Sequence, residues 1–140
     1  MITESLINLL KNDAVIQSLL GASGPNDCPV YPEFQFKDTV TKQINVSFDI
    51  GESLPFDTDT LHEGTVHIYI LIKDTESGVL SQMKAISDRI AELIDKKGTT
   101  LDDSYTTRIF WVSLADAGLL HYDDIHYYEL DLVYRFVIRE

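Results

Sequence analysis

Tyr128-Glu129-Leu130-Asp131-Leu132-Val133-Tyr134-Arg135-Phe136-Val137-Ile138 is the stretch that decides the fold class of this chain. Tyr128, Leu130, Leu132, Tyr134, Phe136 and Ile138 occupy every second position, with Glu129, Asp131, Val133, Arg135 and Val137 between them. A strand sends successive side chains to opposite faces, so this alternation predicts a long strand with one buried face and one wet face. Two rows upstream repeat the pattern. Ile44, Val46, Phe48 and Ile50 alternate with Gln43, Asn45, Ser47 and Asp49; Val66, Ile68, Ile70 and Ile72 alternate with His67, Tyr69 and Leu71. Tyr105 to Leu114 is aromatic and β-branched enough to form another strand. A short extended piece from Val30 to Phe36, held by Pro29 and Pro32, precedes them all.

Working outward, two segments switch to helical spacing. Val79, Met83, Ile86, Ile90 and Leu93 follow one another at intervals of four and three, with Asp74 or Thr75 as the expected N-cap. Lys96-Lys97-Gly98 supplies the expected stop, and Glu92 precedes Lys96 by the spacing of an exposed pair. Near the N-terminus, Thr3 can cap a stripe of Leu6, Leu9 and Leu10, with Ile2 before it and Glu4 in the opening turn. Lys11-Asn12-Asp13 interrupts that stripe, and Val15, Ile16, Leu19 and Leu20 resume it until Gly21. One bent helix and two short ones fit this pattern equally well.

Clean alternation implies antiparallel strands, and helices apolar on one side can cover their buried face. The expected architecture is an α+β fold: a two-layer sandwich with an antiparallel sheet of about four strands and the helices packed on one face. Residues 1–140 fit a single domain, with no repeat, linker or low-complexity tract. Two connections exceed the usual length of about 4–6 residues. One runs from Gly51 to Glu63 with Leu54, Pro55, Phe56 and Leu61; the other runs from Ala115 to Asp124 with Leu119, Leu120 and Tyr122. Loops that mix apolar side chains with acids either fold back on the domain or meet a partner. On the partner reading, Leu54, Phe56, Leu61, Leu119, Leu120 and Tyr122 are the candidate interface. The wet face of the sheet, with Tyr69, Leu71, Tyr127, Val133 and Val137, is either a protein-contact surface or covered by the chain's own loops.

Charge narrows the partners. The net charge is −12, from 23 acidic and 11 basic residues, and such a surface repels phosphate backbones. The first residues lack the basic and apolar regions of a signal peptide, and no apolar stretch reaches the ~20 residues needed to cross a bilayer. No membrane role is expected, and the cytoplasm is the expected site of synthesis and use. Cys28, the lone cysteine, fits a small half-buried loop thiol.

Catalytic patterns are weak. His121, Asp123, Asp124 and His126 are of metal-ligand type, but histidines five apart point to opposite faces of a strand, and only a tight loop would converge them. Asp57, Asp59 and Glu63 lack the glycine and glutamate spacing of a helix–loop–helix calcium site. No GxSxG, Walker, GxGxxG or HExxH motif occurs. No enzyme, no metal and no cofactor is the expectation, with a small metal-dependent hydrolase on His121, Asp123, Asp124 and His126 and a regulatory binding module as alternatives.

In layout the chain resembles the tail terminator (tail completion) proteins of long-tailed bacteriophages. The resemblance runs from Leu6-Ile7-Asn8-Leu9-Leu10-Lys11-Asn12-Asp13-Ala14-Val15-Ile16, a helix, polar break and second apolar helix, through Gly21 and Pro29-Val30-Tyr31-Pro32. It continues through the strand, long loop, Val66–Ile72 strand, amphipathic helix over 76–95 and two closing strands. It implies an architectural subunit of a homo-oligomeric ring, six-fold in that family. Such a ring caps the tail tube, stops its elongation and offers a surface to the head completion protein. The partners implied are the chain itself, the tail tube protein and the head completion protein, with DNA only passing through the lumen. The location implied is the host cytoplasm during assembly and then the virion tail. Another head–tail connector or tube subunit shares this layout.

Overall fold

The computed structural model describes residues 2–53, 61–95 and 108–139. Elements follow in the order α1 (Ile2–Lys11), α2 (Ala14–Leu19), β1 (Val30–Pro32), a 3-10 turn (Glu33–Gln35), β2 (Lys42–Ser53), β3 (Leu61–Lys73), α3 (Val79–Ile94), β4 (Arg108–Tyr122) and β5 (Tyr127–Arg139). The fold is α+β as expected. The sheet, however, has five strands in the order β1-β2-β3-β5-β4, and β1 runs parallel to β2 while every other pair is antiparallel. The fifth strand is the short Val30 piece. It pairs with Ile44, Asn45 and Val46 before the chain turns out of the sheet at Pro32.

The alternation seen in the sequence becomes one apolar face. Register places Ile44, Ile70 and Leu130 in one cross-strand row, Val46, Ile68 and Leu132 in the next, and Phe48, Val66 and Tyr134 in a third. Leu6, Ile7 and Leu10 of α1, Ile16 of α2 and Val79, Met83, Ile86, Ile90 and Ile94 of α3 close over these rows. The helices pack on β1, β2, β3 and β5. Burial of each large aliphatic side chain contributes about 1.5–3 kcal/mol, whereas exposed pairs such as Lys84–Asp88 contribute little. Packing of this face therefore dominates the stability. Cys28 lies in the loop before β1 as expected, but is buried in the same core rather than half-buried, and burial raises its thiol pKa.

The N-terminal segment forms two helices. Asp13 is the N-cap of α2, its carboxylate accepting from the Ile16 N–H at 2.9 Å. Gly21, at φ 74°, lets the chain reverse: its N–H donates to the Ser18 carbonyl and that of Ala22 to the Gln17 carbonyl. α1 already includes Thr3, so that residue lies inside the helix rather than capping it. Nor do Asp74 or Thr75 cap α3. Gly78 takes that position at φ 65°, and the Asp74 carboxylate instead meets histidines of the β4–β5 hairpin. The expected stop at Lys96-Lys97-Gly98 and the Glu92–Lys96 pair lie outside the described residues.

One ion pair ties the helices together. Arg89 of α3 grips the α2 cap, Nη2 to Asp13 Oδ1 at 2.6 Å and Nε to Asp13 Oδ2 at 2.9 Å. The Arg89 hydrogen bonds, against some desolvation, hold the Asp13 carboxyl below its ordinary pKa of 3.8. A depressed folded value means the stabilisation is full above the unfolded value and fades as pH falls through the folded one. Asp13→Ala should lower stability at neutral pH by at least the ~0.5–2 kcal/mol of a lost cap. Thermal melts should show the gap from wild type narrowing in acid; a gap independent of pH would refute the pairing.

Candidate interaction surface

The sheet face opposite the helices is set by the same period of two. Gln43, Leu71, Glu129 and Leu120 form one cross-strand row; Asn45, Tyr69, Asp131 and Gly118 form the next; Ser47, His67 and Val133 follow. At the hairpin end, Lys73, Tyr127 and Tyr122 share the face.

Part of this face is covered by the chain itself. After Pro32 the backbone crosses it, and Gln43 fixes the crossing: Lys37 N–H donates to Gln43 Oε1 at 3.1 Å, and Gln43 Nε2 donates to the Lys37 carbonyl at 2.6 Å. The Tyr127 hydroxyl donates to the Val40 carbonyl and lies 3.3 Å from that of Asp38, while Phe36 meets the Tyr127 ring edge-on. Leu71 and Tyr127, expected on an open outer row, are therefore buried. Among the described residues the cover is the segment 33–41.

Beyond the cover lies a half-buried polar patch. Tyr122 donates its hydroxyl to Glu129 Oε2 at 3.1 Å. Glu129 sits on a strand with neighbours on both sides, so burial raises its pKa above the ordinary 4.5. The Tyr122 bond opposes that rise, while Asp131 and Glu33 add to it. Tyr69 is pushed up to about 12 by burial and then by Glu33, Asp131 and Glu129. Asp131 is held by His67, Nδ1 to Oδ1 at 3.1 Å, and the His67 ring stacks on Tyr69. This surface is rich in acceptors and negative charge.

The residues singled out from the sequence are not brought together as one surface. Leu54 and Phe56 lie outside the described residues, as do the acids Asp57 and Asp59; Leu61 opens β3 opposite Arg139. Leu119, Leu120 and Tyr122 do come together, but on a strand, not a loop. Ala115 to Tyr122 belongs to β4, because β5 is long enough to pair residue for residue down to Tyr122↔Tyr127. Local pattern hid this: Ala, Asp and Gly interrupt the alternation, and the strand is an edge with no second strand demanding a buried face. Leu119 and Leu120 project to opposite faces and are 48% and 53% exposed. Among the described residues, nothing pairs with the outer edge of β4.

The histidines behave differently from expectation. The turn 123–126, with His126 at φ 60°, is the tight loop that converges them. His121 meets Asp74 at 2.9 Å and Asp123 at 3.0 Å, and His126 meets Asp74 at 3.6 Å. These contacts clasp the hairpin to the turn after β3. Among the described residues no group of three or more His, Cys, Asp or Glu side chains is placed to hold a metal ion. Ser47, His67 and Asp131 occupy adjacent strands, an order suggestive of a nucleophile, base and orienting acid. His67 is engaged with Asp131, and β1 pairs with β2 only as far as Val46, one residue short of Ser47.

Glu129 offers a direct check. Its raised pKa means that protonation favours the folded state: the contribution is full below the unfolded value and lost as pH rises through the folded one. Tyr122→Phe removes the bond that holds this carboxylate ionised, so carboxyl-detected NMR titration should show Glu129 titrating at still higher pH than in wild type. An unchanged or lower midpoint would remove Tyr122 from the patch.

No protein-family model matches the chain, and no curated protein matches it in sequence. Among solved structures, the fold matches a chain in the virion of a native gene transfer agent (GTA) particle. The TM-score is 0.75 at 15% identity, over 99% of this chain and 94% of that one. At that identity the likeness is one of fold, carried by the order and packing of the elements rather than by shared side chains.

Proposed function

We propose that the chain is a structural subunit of a phage-like virion, acting by binding copies of itself and neighbouring virion proteins rather than by catalysis. The observation that carries this is the fold shared over nearly the whole of both chains with a component of a gene transfer agent virion. The finer reading follows the layout resemblance to tail terminators: a ring, six-fold in that family, that caps the tail tube, stops its elongation and provides the head-joining surface. Its partners are then the chain itself, the tail tube protein and the head completion protein. Its places are the host cytoplasm during assembly and the virion tail afterwards. An acidic chain lets DNA slide through a lumen without adhering, in keeping with the net charge of −12.

Ring closure needs two unlike patches on each subunit, because a head-to-tail contact joins different surfaces. The two edges of this sheet are unlike. β1 is a three-residue strand bounded by Pro29 and Pro32, which blunt it, whereas β4 is long, has no partner on its outer edge among the described residues and carries exposed Leu119 and Leu120. We assign Leu119, Leu120 and Tyr122 to the subunit contact on that basis. Another head–tail connector or tube component draws equal support from the fold match.

The test is mass in solution across concentration, with and without Mg²⁺, joined to negative-stain imaging. A species of about 95 kDa, six times the 15.9 kDa subunit, with a central hole is the expected result. Leu119→Asp and Leu120→Asp should abolish it while melting stays within ~0.5 kcal/mol of wild type, because both side chains are already exposed. Unfolding of both variants would place these residues in the core and end the interface assignment. Arrest of purified tail-tube growth by wild type separates the terminator from the other virion components, which would leave growth unaffected.

A further inference from the structure

We propose that Leu119, at one edge of the sheet, docks into the groove beneath α1 at the opposite edge of a second copy of the chain. This rests on the assignment of Leu119 to the subunit contact and names the surface that receives it. Leu119 stands in register with Leu130 and, through it, with Ile70 and Ile44, so it belongs to the helix-side face. The helices rest mainly on β1, β2, β3 and β5, which leaves Leu119 48% exposed.

At the other edge the helix layer overhangs. A groove of about 840 Å³ opens between α1 and the β1–β2 edge, with Ile7, Val30, Val46 and Phe48 among its walls. β1 pairs with β2 only as far as Val46, whereas β2 runs on to Ser53, and among the described residues no strand lies along that side of it. One edge therefore offers an apolar side chain that no helix covers. The other offers an apolar groove under a helix, on the same side of the sheet.

Strand direction decides the fit. Each step from β2 to β3 to β5 to β4 is antiparallel, so β4 runs opposite to β2 within one subunit. A copy placed alongside in the plane of the sheet keeps both directions and faces. Its β4 then comes beside β2 of the next copy as an antiparallel neighbour, with Leu119 on the groove side. A two-fold contact of β4 on β4 would also be antiparallel, but it would place no leucine beneath α1.

Charge matches along the same approach. β4 leads into the turn 123–126, where Asp123 and Asp124 are exposed, and that turn points toward the start of β2, with β1 as the stop. Lys11 lines the groove, and Lys37 stands 4.7 Å over the ring of Tyr31, another of its walls. In a chain of net charge −12, two lysines at the stop meet two aspartates at the incoming tip. Glu4 and Glu33 share the rim, so charge sets the direction of approach and the buried leucine supplies most of the strength.

The test adds one cysteine at a time to the full-length chain, since Cys28 is 2% exposed and out of reach of a bismaleimide. Leu119→Cys and Glu4→Cys, the latter at the groove rim, are mixed and cross-linked at high protein concentration. Asp88→Cys, on the exposed face of α3, replaces Glu4→Cys as the background. The first mixture should give a species of about 32 kDa, twice the 15.9 kDa subunit, holding one chain of each kind. Its yield should exceed the background by ~10-fold. Adding Lys11→Glu to the groove chain should lower that yield at low salt and not at high salt. Linking of Leu119→Cys chiefly to itself, or equally to Asp88→Cys, would overturn the groove as receiver while leaving Leu119 in the subunit contact. Linking to none of the three would overturn both. A yield unchanged by Lys11→Glu at low salt would overturn the direction of approach.

Discussion

β5 has no free edge. It pairs with β3 from Tyr127 to Arg139 on one side and with β4 over the same span on the other, so nearly every backbone N–H and C=O along it is committed to a neighbour. Its length sets the lengths of both partners, and its position draws β4 to the rim of the sheet. Once β5 is inserted there, the rows Leu130, Leu132 and Tyr134 join Ile70, Ile68 and Val66 to make the apolar face on which the helices rest. The same strand turns Glu129 and Asp131 to the other face, between neighbours that partly desolvate them.

The two faces therefore have different physical characters from one alternating sequence. On the helix side, close-packed aliphatic side chains carry the stability. On the outer side, the segment 33–41 covers the end held by Gln43 and Tyr127, and Tyr69, Glu129 and Asp131 beyond it are half-buried. The sheet edges differ too, with proline at one and exposed leucines at the other. Unlike edges and one charged face are the features on which the proposed structural role draws. The polar side chains that do approach one another, His67 with Asp131 and His121 with Asp74, are engaged in holding strands and turns together.

Much of this was legible locally. Periods of two and of about 3.6 residues report directly which side of a strand or helix is buried, because burial of each side chain dominates the free energy. The β2, β3 and β5 rows and the α3 stripe were all visible this way, as was the break at Asp13. The strand over Ala115–Tyr122 was not. Its residues make their decisive contacts through backbone hydrogen bonds to β5, and an exposed edge imposes no side-chain pattern. The cover over Tyr127 was equally silent, since Gln43 and Tyr127 recognise backbone carbonyls and amides whose positions depend on the fold.

By itself the sequence determined the α+β class, the buried faces of the longest strands, the helix stripes and the acidic charge, since each follows from spacing or count. Tertiary structure decided the sheet order with β1 parallel to β2, the place of β4 at the edge, and the meeting of His121 and His126 on Asp74. It also decided that Tyr69 lies beside Asp131 on one face, two residues from Glu129. Those features depend on which strand lies beside which, and strand adjacency is set by backbone pairing between residues far apart in the chain, of which local side-chain periodicity carries no record.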